Sequence, residues 1–178
     1  MTQKEITHSP ATDIKPTRYW QFGQQNVMAA EPLKINIADH PQLVDIFNGT
    51  EGWAVLDFTM PSFSGASYDY LFVISDGYSS NTIGFRISNA GEIRAWCRRA
   101  SSAIHSNANG DIMPVNTHQT VGITWKPGEM TLVSGGKKTT ATFTGYPTGL
   151  SDINIFSRNA SADPVDGIVH SVKIGNGY

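Results

Sequence analysis

Short stretches in which apolar and polar residues alternate follow one another from residue 53 onward, with turn-forming residues between them. In NTIGFRIS, at 81–88, Ile83, Phe85 and Ile87 fall on one side, because successive side chains of a strand point to opposite faces of a sheet. Many short strands with turn signals between them are typical of an antiparallel sandwich or barrel. The pattern therefore predicts an all-β fold.

The stretch EIRAWCRR, at 92–99, separates two kinds of residue by the same alternation. Ile93, Ala95 and Cys97 would enter the core. The opposite face would carry a tryptophan between two arginines, formed by Arg94, Trp96 and Arg98. This second face is the main candidate for a binding surface.

The remaining strands are predicted from similar stretches and from the turns that join them. Pro127 and Gly128 suit the two central positions of a type II turn, and Gly135 and Gly136 suit a tight hairpin turn. Only HPQLVDIF, at 40–47, is a helical candidate, with Pro41 suited to its first turn. The predicted strands are LKINI (33–37), WAVLDFTM (53–60), YLFVIS (70–75), QTVGITWK (119–126), EMTLVS (129–134), KKTTATF (137–143), DINIFS (152–157) and GIVHSVKI (167–174).

Composition limits the number of domains and the kinds of partner. A chain of 178 residues, 39% of them hydrophobic, can bury one full-sized core. The net charge of −2 gives no global field that would attract nucleic acid or an anionic membrane. A single cysteine, Cys97, and an apolar-poor amino terminus without a signal peptide indicate synthesis in a reducing cytosol.

The first eighteen residues differ from the rest of the chain, since they are polar, contain Pro10 and Pro16, and lack periodicity. We predict that residues 1–18 form an arm that docks on a neighbouring subunit, followed by a single sandwich domain over 19–178. Three aromatic residues directly after the arm, Tyr19, Trp20 and Phe22, either anchor it or form the first core strand. The sequence leaves both alternatives open.

The order of the strands resembles the concanavalin A-like jelly roll, the lectin and laminin-G type of sandwich, as found in bacteriophage virion proteins. The likeness covers about residues 47–178. It rests on FNGTEGWAVLDFTMPS, YLFVISDG, NTIGFRISNAGEIRAWCRR, QTVGITWKPGEMTLVSGGK, TGLSDINIFSR and GIVHSVKIGNG. The resemblance implies a two-sheet antiparallel sandwich that binds carbohydrate or other proteins.

Some relatives of this type are glycosidases that carry a Glu-x-Asp-x-Glu strand, and this sequence has no such spacing. Its nearest acidic strand residue, Asp57, stands alone between apolar neighbours, whereas glycoside hydrolysis needs two carboxylates. We therefore predict a protein that is not an enzyme and needs no cofactor.

Metal binding is also not predicted. Many lectins of this fold hold calcium through loop carboxylates, but no recognised calcium loop is present, and the five histidines lack metal-binding spacing. Asx residues in turns have ordinary backbone roles. The loop pairs considered are Asp76 with Asn81, Asn107 with Asp111, and Asp163 with Asp166.

The arginine and tryptophan cluster of Arg94, Trp96, Arg98 and Arg99 has two interpretations. A tryptophan face stacks on sugar rings, and guanidinium groups bind hydroxyls or carboxylates. Alternatively, the arginine stems cover the indole, or the cluster forms a protein interface, in which both residue types are enriched. We favour packing or an interface over a sugar platform.

The sequence thus predicts a bacteriophage virion protein that decorates or cements a capsid. Its partners would be other virion proteins, above all the major capsid protein, and further copies of itself. Neither nucleic acid nor a membrane is expected as a partner. Assembly would take place in the host cytoplasm. The alternative is a carbohydrate-binding adhesin on a phage tail or fibre. Its stacking platform would be Trp96 or an aromatic loop residue such as Tyr68, Tyr70 or Tyr78.

Overall fold

Two antiparallel sheets stacked face to face make up the protein, as the all-β jelly-roll prediction requires. The computed structural model describes residues 19–22, 25–27, 33–47, 49–103, 109–142, 144–158 and 165–176. The predicted arm, residues 1–18, lies outside the described residues. Within the described ranges, fourteen strands form two sheets of seven strands each.

The first sheet has the strand order β1-β14-β4-β10-β11-β12, and β2 also pairs with β14. Its strands are β1 (Tyr19–Phe22), β2 (Gln25–Val27), β4 (Gly52–Thr59), β10 (Gln119–Lys126), β11 (Glu129–Ser134), β12 (Lys137–Thr142) and β14 (Gly167–Gly175). The last described strand therefore pairs with the first described one.

The second sheet has the order β3-β13-β5-β6-β7-β8, and β9 also pairs with β7. Its strands are β3 (Leu33–Asn36), β5 (Tyr68–Ser75), β6 (Thr82–Ser88), β7 (Glu92–Arg99), β8 (Ser102–Ala103), β9 (Asn109–Ile112) and β13 (Asp152–Ile155). The sequence analysis missed β8 and β9, because neither contains an alternating apolar stretch.

The predicted helix is confirmed as α1 (Pro41–Ile46), with the proline in its first turn and Leu43 and Ile46 buried. A 3₁₀ turn at Ile37–Asp39 precedes it, and the side chain of Asn36 accepts a hydrogen bond from the Ala38 amide at 3.0 Å. No helix in the described part of the chain combines the length and the apolar character needed to cross a bilayer.

Both predicted glycine turns are present. Gly128 has a φ of 78°, as the second central residue of a type II turn requires, and it joins β10 to β11. Gly135 and Gly136 have φ values of 55° and 80°, which are the positive values of a tight hairpin turn between β11 and β12.

The core lies between the sheets and is filled by alternate residues of the central strands. Phe58 of the first sheet meets Phe156 edge to face at 5.9 Å, and Phe72 stacks on Phe85 at 5.5 Å within the second. Burying one such side chain stabilises a fold by about 1.5–3 kcal/mol. Because the inward positions are occupied in this way, the residues between them are directed outward.

A β-bulge in β5 decides which of its apolar residues enter the core. The pairing with β6 shifts between Tyr70 and Phe72. As a result, Leu71 and Phe72 both contact the core, whereas Tyr70 and Val73 form a second cluster with Trp96 on the outer face. Bulges commonly redirect a side chain in this manner.

Cys97 is fully buried, and burial raises the pKa of its thiol to about 12. The unfolded chain ionises this thiol near its ordinary pKa of 9.0, so the thiol should lower the stability of the fold as the pH rises from about 9 toward about 12. At about pH 10 the loss is about 1.4 kcal/mol.

Urea unfolding at about pH 7.5 and about pH 10 measures this effect. The fall in unfolding free energy between the two should be larger for the wild-type protein than for Cys97→Ala, whose core lacks the ionisable group. Equal falls in the two proteins would show that the thiol does not resist ionisation.

Candidate ligand-binding face

The outer face of the second sheet brings three of the four predicted site residues together. Arg94, Trp96 and Arg98 alternate on β7 with residues of the core, as predicted. They adjoin outward residues of β5 and β6. We call the resulting surface the arginine face, and it consists of Tyr68, Tyr70, Arg86, Arg94, Trp96 and Arg98.

Arg86 is held at the centre of the arginine face by aromatic rings. Its guanidinium carbon lies 3.7 Å from the ring centroid of Tyr68 and 5.5 Å from that of Trp96. Such cation–π contacts orient a guanidinium without neutralising it. Its buried Nε atom has no hydrogen-bond partner, and no carboxylate of a described residue pairs with it. Within the described ranges, the charge of Arg86 is therefore not compensated by a carboxylate.

Arg94 is in a different electrostatic state, because it is bound by two neighbours. Its Nε and Nη2 atoms donate to Oε2 of Glu92 at 2.9 and 2.5 Å, and Nη1 donates to the hydroxyl of Tyr68 at 2.8 Å. The hydrogen bond with Glu92 is the main cause that raises the pKa of Arg94 above its ordinary value. This network fixes the Tyr68 ring on which Arg86 lies.

Trp96 is only 5% exposed. Tyr70 contacts its ring edge to face at 5.2 Å, and the guanidinium carbons of Arg86 and Arg98 lie within 5.5 and 5.8 Å of it. A sugar ring cannot stack on this indole while these side chains remain in place. The structure therefore gives Trp96 the packing role, and the interface or ligand role of the whole cluster stays a prediction.

Arg99 does not join the other three residues. It follows Arg98 on β7 and is exposed at the end of the strand, where its Nη1 atom approaches Gly145 so closely that a Cβ there would lie 2.5 Å away. Arg98 stays on the arginine face and donates a hydrogen bond to the carbonyl oxygen of Ser101. Alternation along a strand explains the separation, since neighbours point in opposite directions.

The aromatic residues considered as loop platforms occupy different environments. Tyr68 and Tyr70 were considered as loop residues, but both lie in a strand, because β5 begins at Tyr68. Tyr78 does lie in a loop and is 74% exposed. Two of the three tyrosines, Tyr68 and Tyr70, therefore belong to the arginine face.

The predicted arm anchor lies on an edge strand. Tyr19, Trp20 and Phe22 belong to β1, whose backbone pairs with β14. Their side chains lie outside the described part of the structure. The anchor role stays a prediction.

The arginine face and its border are electropositive, although the chain as a whole is not. Four cations and two carboxylates of described residues lie there, which leaves an excess of two positive charges. The carboxylates of Glu92 and Asp152 are already paired, with Arg94 and with Lys34. The cations are Lys34, Arg86, Arg94 and Arg98. Arg158 also lies at the border, with its guanidinium carbon 5.7 Å from the ring centroid of Tyr70, and it makes a further interaction. A local field of this sign favours an anionic ligand.

Sequence analysis missed Arg86, although the signal for it was present. Ile83, Phe85 and Ile87 were assigned to one face, so Arg86 had to point to the other. Lys34 follows from the same rule, because it precedes buried Ile35 on β3. Arg158 has no such signal, since it lies beyond the end of β13.

Two of the loop carboxylates considered for calcium, those of Asp76 and Asp111, accept hydrogen bonds from protein groups. The Asp76 carboxylate accepts from the Tyr78 amide at 3.1 Å and from Asn81 Nδ2 at 2.9 Å, and Asp111 accepts from the Ile112 amide at 2.9 Å. Asn107 and Asp163 lie outside the described residues, and Asp166 is exposed. Across the described ranges, no three histidine, cysteine, aspartate or glutamate side chains are grouped to hold a metal ion.

Asp57, the lone acidic strand residue, faces outward on the first sheet. Its two oxygens accept hydrogen bonds from Thr120 at 2.6 Å and from Ser171 at 2.5 Å. These contacts join β4 to β10 and β14. Asp57 therefore has a structural role in the sheet.

No protein-family model matches the chain, and no curated protein matches it in sequence. Solved structures do match it in shape. The CBM40 domain of a Ruminococcus gnavus IT-sialidase, bound to α2,3-sialyllactose, is 13% identical with a TM-score of 0.68, and the match covers 88% of this chain and 91% of that one.

Two other structures extend the comparison. The NanB sialidase of Streptococcus pneumoniae is 16% identical with a TM-score of 0.69, covering 88% of this chain but only 26% of that one. Domains LG4-5 of the mouse laminin α1 chain are 10% identical with a TM-score of 0.60, covering 90% and 43%. The protein is thus similar to lectin-like and laminin-G sandwiches, and it has the concanavalin A-like jelly-roll fold.

Proposed function

We propose that this protein is a carbohydrate-binding module without catalytic activity, and that its arginine face binds acidic glycans. The proposal is supported by the shape of the chain, which is similar to a CBM40 domain bound to sialyllactose. It is supported more directly by Arg86. A partly exposed guanidinium that no described carboxylate neutralises is the group that an anionic sugar would pair with.

The surroundings of Arg86 are suited to binding because they are fixed before a ligand arrives. Tyr68 lies under its guanidinium at 3.7 Å, and the hydroxyl of Tyr68 is itself held by Arg94. Side chains ordered in advance lose less conformational entropy on binding, so more of the interaction energy appears as affinity. Glu92 contributes by holding Arg94, which leaves Arg86 as the cation for the ligand.

The absence of catalysis remains part of the proposal. The two carboxylates that border the arginine face are those of Glu92 on β7 and Asp152 on β13. Asp152 is in register with Arg98, so Glu92 lies about 14 Å away across three strand spacings and about 20 Å away along β7, or about 24 Å in all. Glycosidase carboxylates lie about 5–9.5 Å apart across the scissile bond. This arrangement supports binding without hydrolysis.

The finer predictions concern the virion. The predicted alternative, an adhesin on a phage tail or fibre, is compatible with glycan binding. Capsid decoration would instead depend on residues 1–18, which lie outside the described residues. Both locations, with assembly in the host cytoplasm, stay predictions.

Replacing Arg86 should separate charge recognition from folding. Arg86→Gln keeps a shorter polar side chain and removes the charge, so the affinity for 3′-sialyllactose should fall about 10- to 100-fold, the equivalent of about 1.5–3 kcal/mol. Isothermal titration calorimetry measures the change, and neutral lactose should bind weakly to both proteins.

The matched control is Lys138→Gln, which removes an exposed cation from β12 in the other sheet. It should bind sialyllactose as the wild-type protein does. If both variants keep the wild-type affinity, or if the wild-type protein binds no acidic glycan, the proposed function is wrong.

Incubating the protein with 3′-sialyllactose tests the proposed lack of catalysis. The trisaccharide should remain intact over a day, because the two bordering carboxylates are too far apart to act on one bond. Chromatographic detection of free sialic acid, growing in proportion to protein concentration, would show that the protein is an enzyme.

A further inference from the structure

Besides Nε of Arg86, two buried polar atoms beside the arginine face have no hydrogen-bond partner among the described residues. They are the hydroxyl oxygen of Thr82 and the side-chain oxygen Oδ1 of Asn154. Thr82 is 0% exposed and Asn154 is 1% exposed. A buried polar group that makes no hydrogen bond costs about 1–3 kcal/mol, so two such groups on one surface require an explanation.

Both side chains point to the outer face of the second sheet. Thr82 precedes core residue Ile83 on β6, and Asn154 lies between core residues Ile153 and Ile155 on β13. Thr82 pairs directly with Ser75 of β5. Asn154 pairs with Val73, two residues from Ser75 along the same strand. The two residues therefore flank β5 with an offset of two positions, which the side chain of Asn154 spans by reaching Ser75.

Ser75 sets the orientation of Asn154. The amide Nδ2 of Asn154 donates to the hydroxyl oxygen of Ser75 at 3.0 Å, and the backbone amide of Gly77 also donates to that oxygen at 3.3 Å. With Nδ2 engaged, Oδ1 remains as an acceptor without a donor. The hydroxyl of Thr82 both donates and accepts hydrogen bonds.

We propose that Ser75, Thr82 and Asn154 form a neutral subsite that binds a hydroxyl group of the sugar next to the acidic one. This inference rests on the proposed function, because it extends the ligand beyond Arg86. A sugar hydroxyl donates to Oδ1 of Asn154 and accepts from Thr82, which satisfies both unpaired atoms at once. An acidic group alone cannot do this, since a carboxylate has no proton to donate.

The distance along β6 fits an oligosaccharide. Thr82 and Arg86 are four residues apart on the same face, which corresponds to about 13 Å. Gly84 lies between them and contributes no side chain, since a Cβ there would lie 2.0 Å from the Phe72 carbonyl oxygen. A ligand that bridges the two positions must therefore contain more than one sugar ring.

The subsite is closed in the free protein, so a covering side chain must move when a ligand enters. Arg98 is the residue opposite Thr82 on β7. Its guanidinium donates one hydrogen bond to the Ser101 carbonyl in an exposed position. Among its contacts with described residues, rotation of this long side chain breaks that hydrogen bond and the cation–π contact with Trp96.

Thr82→Val tests the subsite, because valine keeps the shape of threonine and removes its hydroxyl. The variant should bind 3′-sialyllactose about 5- to 10-fold more weakly, which corresponds to one neutral hydrogen bond. Its affinity for free N-acetylneuraminic acid should be unchanged. Its melting temperature should stay the same or rise, since a buried unpaired hydroxyl has been removed.

The matched control is Thr131→Val on β11, a buried outward threonine of the other sheet. Its hydroxyl is already bonded to that of Thr140 at 3.0 Å. This variant should melt at a lower temperature and bind both sugars as the wild-type protein does.

The outcomes separate this inference from the proposed function. If Arg86→Gln weakens binding while Thr82→Val leaves the trisaccharide affinity unchanged, the arginine face binds glycans and the subsite is wrong. If Thr82→Val lowers the melting temperature without affecting binding, its hydroxyl serves a buried water and the subsite is also wrong. If the wild-type protein binds neither sugar, both inferences fail.

Discussion

The burial of one face of each sheet against the other determines the rest of this structure. Ile83, Phe85 and Ile87 of β6 enter the core together with alternate residues of β7. Since each buried side chain contributes about 1.5–3 kcal/mol, a shift of one residue in either strand would exchange the core for the polar face. The same packing therefore forces Arg86, Arg94 and Arg98 onto one outer surface, where their charges add.

The fold was largely predictable because its main strands alternate and its turns carry glycine at positive φ. The bulge in β5 could not be predicted from the sequence. The run YLFVIS is apolar at five of its six positions, so no alternation shows which residues face the core. Only packing against β6 places Leu71 and Phe72 inward and Tyr70 outward. Without that bulge Tyr68 and Tyr70 could not share the outer face with Val73.

The candidate site was predictable in part. Alternation alone brings Arg94, Trp96 and Arg98 together, and applied consistently it also separates Arg99 and adds Arg86. It does not show that Trp96 is covered, because the covering groups come from β5, β6 and β7 and meet only in the folded sheet. Nor does it show that the Thr82 hydroxyl and Oδ1 of Asn154 have no partner among the described residues, since an unmade hydrogen bond has no sequence pattern.

The arginine face combines two features that a purely structural surface would not keep. Arg86 is oriented by aromatic rings but not neutralised by a described residue, and two polar atoms nearby are buried without partners. The two buried atoms cost stability. Under the proposed function, a bound acidic oligosaccharide would satisfy them and pair with Arg86. A nuclear magnetic resonance titration with 3′-sialyllactose tests this account most directly. The largest shifts should occur at the Nε–H signal of Arg86 and at the amides of β5, β6 and β7, whereas shifts confined to the outer face of the first sheet, or none at all, would contradict it.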